Sequence, residues 1–331
     1  MNSIFDIFKI GIGPSSSHTM GPVVACKKII DRVIQNKLLD KVKLIEVELF
    51  GSLAYTGKAH GTDKALIAGL CGSTPDIVSS ENMKDLYQKT VRDGKIKIGE
   101  SILIPFDLNK NIIYNTRDVP SYHSNALLVS IYTHNRKLLL KEKYYSVGGG
   151  TVISENKIET SPSYIDYPYK YKTATELLNL CAKENLNIWD IVLINEKHSM
   201  SDDEIESGIK KIWTVMNESI NKGINTEGVL DGGLRVERRA SGLFSQLRSD
   251  QSNDSLKELD YVNAYAIAVN EENSSGGRIV TAPTNGASGV VPSVIRYASE
   301  FTNGFDDESL KRFFLTAGAI GGLYKLNASI S

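Results

Sequence analysis

Apolar positions along this chain follow two rhythms, and the dominant one changes near the middle. From Pro22 to Leu38 the residues Cys26, Ile29, Ile30, Val33, Ile34 and Leu38 recur at helical spacing, with Pro22 suited to a first turn. Ile45, Val47 and Leu49 then alternate with Glu46 and Glu48, the period of a half-buried strand. The stretch GSLAYTGKAHGTDKALIAGLCG reads as a loop and then a helix that stops at Gly72. Between Gly94 and Gly150 come short β-rich runs (KIKI, SILIPF, NIIY, ALLVSIY, KLLLKEKYYSV) set apart by Asp, Asn and Gly. Residues 1–154 are therefore expected to form an α+β domain with a mainly antiparallel sheet.

Residues 155–172 carry prolines and neither period, which predicts a linker. Everything from 173 to 331 reads as helical. Ser201 with Glu204 forms a capping box ahead of Ile205, Ile209, Ile212, Trp213 and Met216. Further stripes run over Leu256–Val269, Val290–Tyr297 and Leu310–Tyr324. The last stretch, FFLTAGAIGGLYKLNASIS, is a small-residue apolar helix in need of a partner. The chain stops almost where that helix does, so the pattern is expected to be that of a severed polypeptide with an incomplete all-α second domain.

The 38 basic and 39 acidic side chains nearly cancel, giving no electrostatic reason to approach nucleic acid or an anionic membrane. MNSIFDIFKIG lacks the basic start of a signal peptide, and no apolar run nears the roughly 20 residues of a membrane helix. The expectation is a soluble cytoplasmic protein. Cys26, Cys71 and Cys181 are scattered without a C-x-x-C pair, which fits a reducing compartment. Cys26 shares a stripe with Ile29, Ile30 and Val33, and Cys181 one with Ala174, Leu177 and Leu178, so both are expected to be core thiols.

Four segments carry candidate chemistry. Gly13-Pro14-Ser15-Ser16-Ser17-His18-Thr19 precedes a helix, where hydroxyls and free N–H groups form a seat for a small carboxylate or phosphate; the plainer alternative is an N-cap with spare serines. His60-Gly61-Thr62-Asp63-Lys64 places a second imidazole at a second helix start, with Thr62 or Asp63 available as a cap. Tyr144-Tyr145-Ser146-Val147-Gly148-Gly149-Gly150 ends a strand in glycines, which suits either close ligand approach or a simple bend. Thr284 and Asn285, in RIVTAPTNGASG after Asn270-Glu271-Glu272-Asn273, bind a ligand or cap the next helix. His123-Ser124-Asn125 reads first as a lone exposed histidine. Arg235, Arg238 and Arg239 read as a solvated helix face.

GPSSSHT, TGKAHGTDKA, YYSVGGG, GGLRVERRA and NEENSSGGRIVTAPTNGASG, in this order, make the chain resemble the single-chain bacterial L-serine dehydratases of the iron-sulfur type. The resemblance runs from FDIFKIGIGPSSSHTMGP to KLNASIS. It implies a lyase that turns L-serine into pyruvate and ammonia by iron-assisted elimination of water. It also implies a first domain similar to the allosteric substrate-binding domain of certain phosphoglycerate dehydrogenases, a helical catalytic domain holding a 4Fe-4S cluster, and a homodimer.

By the same resemblance Ser15, Ser16, Ser17, His18 and Thr19 with His60, Thr62 and Asp63 line the mouth of the site. Ser146, Gly148, Thr284 and Asn285 complete the substrate pocket, and His60 and His123 are the candidate bases. His123-Ser124-Asn125-Ala126 departs from the His-Pro-Asn-Gly usual in such proteins. The cluster cysteines would follow NASIS, and Cys26, Cys71 and Cys181 match none of them, so no metal ligand is assigned. The chain alone is expected to lack cluster and activity unless a complementing C-terminal chain supplies the thiolates. Two alternatives remain. A pyridoxal-phosphate dehydratase is suggested by the glycine loop, although no lysine stands in a Ser-x-Lys-x-Arg-Gly setting. The other is a non-catalytic serine-binding module.

Overall fold

The computed structural model describes residues 3–99, 101–157, 166–230, 234–250 and 256–327. They fold as two units: residues 14–157 form one, and residues 3–13 join 166–327 in the other. Part of the expected linker, the glycines of GGLRVERRA and the end of NASIS lie outside the described residues.

The chain opens with a short helix, α1 (Ile4–Ile7), and strand β1 (Lys9–Ile12), both belonging to the helical unit. In the α+β unit follow α2 (Gly21–Gln35), β2 (Leu44–Phe50), α3 (Gly51–Thr56), α4 (Thr62–Leu70), α5 (Ser80–Asp93), β3 (Lys95–Ile98), β4 (Ile102–Pro105), α6 (Leu108–Asn111), β5 (Ile112–Asn115), β6 (Ala126–Tyr132), β7 (Leu138–Ser146) and β8 (Val152–Ser154). The main sheet has the order β5-β2-β6-β7-β8. The β2–β5 pairing is parallel; β2–β6, β6–β7 and β7–β8 are antiparallel.

Alternation in β2 sets the core. Ile45, Val47 and Leu49 lie opposite Ile131, Val129 and Leu127 of β6, and all six are fully buried. Against that face packs the α2 stripe Cys26, Ile29, Ile30 and Val33, whereas Ile34 falls outside it and is exposed. GSLAYTG differs from the expected loop. It forms α3, which opens at Gly51 with φ +51°, where a Cβ would meet the Ser124 carbonyl oxygen at 2.3 Å. Only glycine tolerates both conditions.

The helical unit continues with α7 (Ala174–Glu184), α8 (Ile188–Lys197), α9 (Asp202–Ile224), α10 (Ala240–Ser249), α11 (Lys257–Ser274), β9 (Arg278–Thr281), α12 (Val290–Phe301) and α13 (Asp307–Asn327). Both bonds of the Ser201–Glu204 capping box are made at the start of α9. Ile205, Ile209, Ile212 and Met216 then point into the core.

Two features go beyond what the sequence pattern indicates. Residues 3–13 do not pack in the α+β unit. Ile4, Ile7 and Phe8 are buried among Ile191, Ile209 and Phe314, and the Phe8 ring meets Phe314 edge-on at 5.2 Å. The fully buried Glu196 fixes this segment, accepting from Ile4 N at 2.8 Å and Ser3 Oγ at 2.7 Å; burial raises its proton affinity, and those bonds oppose the rise. Nor is the second unit wholly helical. The four residues of β9 pair antiparallel with β1, from Lys9 opposite Thr281 to Ile12 opposite Arg278. Leu178, placed on the α7 stripe with Cys181, is exposed instead.

Candidate active site

In the α+β unit, Ser16–Met20 forms a wide helical turn that runs straight into α2. Ser15 caps it: its Oγ accepts from His18 N at 3.1 Å, and its carbonyl oxygen accepts from the N–H groups of Thr19 and Met20. The N–H groups of Ser16 and Ser17, first in the turn, get no partner from within it. Ser16, Ser17, His18 and Thr19 are all buried. The start of a 15-residue helix stands behind them with its positive dipole end, so the turn is electrostatically suited to a carboxylate.

Side chains from neighbouring elements take up the turn's carbonyl groups. Ser146 Oγ, at the end of β7, donates to Ser17 O at 2.8 Å, and Thr62 Oγ1, at the start of α4, donates to His18 O at 2.6 Å. Thr19 Oγ1 in turn donates to His60 O at 3.0 Å. These bonds bring PSSSHT, HGTDK and YYSVGGG together within one unit. The Ser146 contact requires a glycine, because a Cβ on Gly21 would sit 2.0 Å from Ser146 Oγ. Beyond it Gly148, Gly149 and Gly150 take φ of +88°, +57° and +68° in succession, a path closed to most L side chains.

His18 lies between two hydroxyls, with Ser17 Oγ 2.8 Å from Nδ1 and Ser52 Oγ 3.0 Å from Nε2. Its ring centroid is 4.8 Å from that of His60. Burial and then the nearby His60 lower the proton affinity of His18, opposed by a hydrogen bond to Ser52, so the ring is neutral at pH 7. His60 Nδ1 lies 3.0 Å from the Thr56 carbonyl oxygen, an acceptor only. A neutral His60 therefore carries its proton on Nδ1 and leaves Nε2 as a base.

His123 has the opposite tautomer. Its Nδ1 accepts from Asn125 N at 3.1 Å, so the neutral ring presents Nε2–H, a donor; burial lowers its proton affinity too. Asp63 is spent locally, taking Lys64 N at 2.9 Å and the Tyr87 hydroxyl. Sequence reasoning missed Ser52, since nothing in GSLAYTG marks that hydroxyl as facing an imidazole 34 residues away.

Thr284 and Asn285 belong to the helical unit. Thr284 Oγ1 accepts from Ala287 N at 3.3 Å, the capping role. Asn285 is buried with its amide committed: Thr281 Oγ1 donates to Oδ1 at 2.7 Å, while Nδ2 reaches Ile12 O at 3.1 Å and Asn273 Oδ1 at 3.2 Å. It ties the β1–β9 ribbon to the end of α11.

Of the basic group, Arg235 and Arg239 are exposed as expected, but Arg238 is not: its side chain is only 8% exposed and bonds buried Glu272 at 2.8 Å and Ser275 Oγ at 2.7 Å. Lys222 adds a second contact to Glu272 at 3.1 Å. Glu271 accepts from Arg239 N at 2.6 Å and Ala240 N at 3.3 Å, capping α10. The segments NEEN and RVERR thus interlock as a buried ion-pair network.

An iron-sulfur cluster does not fit the thiols present. Cys26 and Cys71 are buried, with burial pushing the first far above the usual thiol range and the second up to about 11, and Cys181 lies in the other unit. Cluster ligation needs accessible thiolates gathered in one place. Among the described residues no group of three His, Cys, Asp or Glu side chains is placed to hold a metal, and no helix is long and apolar enough to cross a membrane.

Comparison with known proteins places the chain in a family. The family model for the serine dehydratase beta chain matches residues 3–157, and that for the serine dehydratase alpha chain matches 183–331. The L-serine dehydratase TdcG of Escherichia coli is 44% identical over 340 residues, covering 100% of this chain and 73% of its own length. The L-serine dehydratase of Streptomyces coelicolor is 41% identical over 99% of this chain and 73% of its own, and that of Helicobacter pylori 37% over the same shares. The chain belongs to the L-serine dehydratase family.

Proposed function

We propose that this chain binds L-serine by its carboxylate on the Ser15–Thr19 turn, as part of the machinery that eliminates water from serine to give pyruvate and ammonia. The observation that carries the reading is the buried turn at the head of α2, with two N–H groups unclaimed by the turn and two imidazoles 4.8 Å apart beside it. Such a seat favours a small anion, and names of the relatives point to serine. The pyridoxal-phosphate reading is not favoured by the serine dehydratase family models.

Taking the α-proton of serine needs a base that is neutral near pH 7. His60 has the tautomer for it, with Nε2 unprotonated, whereas His123 in its neutral form offers a proton. We assign the base to His60 and a hydrogen-bond donor role to His123. Ser17 and Ser52 keep the His18 ring fixed, and Ser146 and Thr62 keep the turn's carbonyl oxygens away from the anion.

Departure of the hydroxyl is the step to which no residue here is assigned, because the thiols of this chain do not suit the cluster that the resemblance implies. The 331-residue polypeptide is therefore expected to bind serine without consuming it. Anaerobic incubation with iron and sulfide, then an assay for pyruvate from L-serine, tests this. A colourless protein without turnover is expected; a brown, iron-loaded protein making pyruvate would overturn it. Activity that appears only on adding a second polypeptide with cluster thiolates would support a complementing chain.

A further inference from the structure

Asn125 combines burial with an unused acceptor. The residue is 1% exposed, and its Oδ1 has no hydrogen-bond partner among the described residues. A sealed, unpaired acceptor costs about 1–3 kcal/mol, so it is uncommon without a reason. The orientation of the amide is fixed by its other contacts. Asn125 O accepts from Ser146 N at 2.8 Å, and Asn125 Nδ2 lies 3.5 Å from Ser146 O. Turning the amide over would set two carbonyl oxygens against each other, so Oδ1 is the atom left without a donor.

The position of this oxygen matters. Ser146 is held on one side by Asn125 and on the other donates through Oγ to Ser17 O, within the turn described above. The backbone N–H of Asn125 fixes His123. A neutral acceptor on a residue bonded to Ser146, which itself bonds the turn, is complementary to a ligand that carries a carboxylate and, one carbon away, a cationic donor.

We infer that Asn125 Oδ1 accepts a hydrogen bond from the α-ammonium of a small amino acid seated on the Ser15–Thr19 turn, and so separates amino acids from hydroxy acids lacking a donor on Cα. The inference rests on the carboxylate seat proposed above and adds the second point of recognition. Oδ1 is closed to solvent, so access to it requires the groups around it to move, and the ammonium then supplies the missing donor.

The test compares two ligands on the full 331-residue chain by calorimetry at neutral pH: L-serine, and 3-hydroxypropanoate, which keeps the carboxylate and hydroxyl but has no ammonium. A charge-assisted bond predicts that the wild type prefers serine roughly ten- to hundredfold. Asn125→Leu should abolish the preference while 3-hydroxypropanoate still binds. Asn125→Ala, which removes the oxygen without adding bulk or setting a second oxygen against Ser146 O, should lose the preference in the same way, so it decides the matter even if the leucine variant does not fold. Equal loss of both ligands in a folded Asn125→Leu or Asn125→Ala protein, or an unchanged ratio in either, would overturn the role of Asn125. Failure of the wild type to bind either ligand would instead overturn the carboxylate seat, and the inference with it.

Discussion

The His18 ring, buried and 4.8 Å from the ring of His60, takes up a proton only with loss of stability. Since the proton affinity of His18 is lower folded than unfolded, the unfolded chain binds more protons just below the ordinary value of 6.5. Stability is therefore full above that value and falls as pH drops through it towards the folded pKa. His123 adds to the trend with the same sign. In urea unfolding at pH 7.5 and pH 5.5, His18→Gln is expected to lose less stability on acidification than the wild type; an equal or larger loss would contradict the assignment. At this scale the sequence was informative about residue type and silent about partners. Ser15 to Thr19 and His60 were recognisable from their helix-start setting. Ser52 and the unpaired oxygen of Asn125 were not, because hydrogen bonds across 20 to 40 residues of sequence leave no local pattern.

At the level of elements, the contact of α2 with β7 depends on a missing side chain. Gly21→Ala places a methyl 2.0 Å from Ser146 Oγ and 2.8 Å from its Cβ, and is expected to cost about 1–3 kcal/mol by forcing the helix off the strand. Gly94→Ala is the control: with φ +59° and nothing within 4 Å of the new carbon, only backbone strain of about 1 kcal/mol applies. Denaturant unfolding measures both, and only the first variant should also weaken serine binding. In the helical unit, Arg238→Met leaves Glu272 buried with Lys222 alone and is expected to cost roughly 3 kcal/mol. The double variant Arg238→Met with Glu272→Leu should recover much of that loss, since an apolar pair then replaces an uncompensated charge. Long periodic elements such as α9 and β2 were legible because one face is buried along their whole length. β9 was not. Four residues carry too little period, and its partner β1 lies some 270 residues earlier.

For the molecule as a whole, two units each have their own core, and an N-terminal segment crosses from one to the other in sequence, held by Ile4, Ile7, Phe8 and Glu196. Composition could mark the change from β-rich to helical texture but not this return, since an apolar N-terminus is equally able to serve either core. The histidines offer the most direct test of the account. The chain has 5 of them, at positions 18, 60, 123, 134 and 198; His18 and His60 stand at the proposed seat, and His123 is bonded to Asn125 N. The imidazole nitrogens of 15N-histidine-labelled chain can be followed by NMR as L-serine is added at neutral pH. His60 should start as the Nδ1–H tautomer and His123 as the Nε2–H tautomer, and L-serine should shift His18, His60 and His123 while leaving His134 and His198 unmoved. Saturating serine that moves none of the first three, or moves only His134 or His198, would show that the substrate does not sit on the Ser15–Thr19 turn.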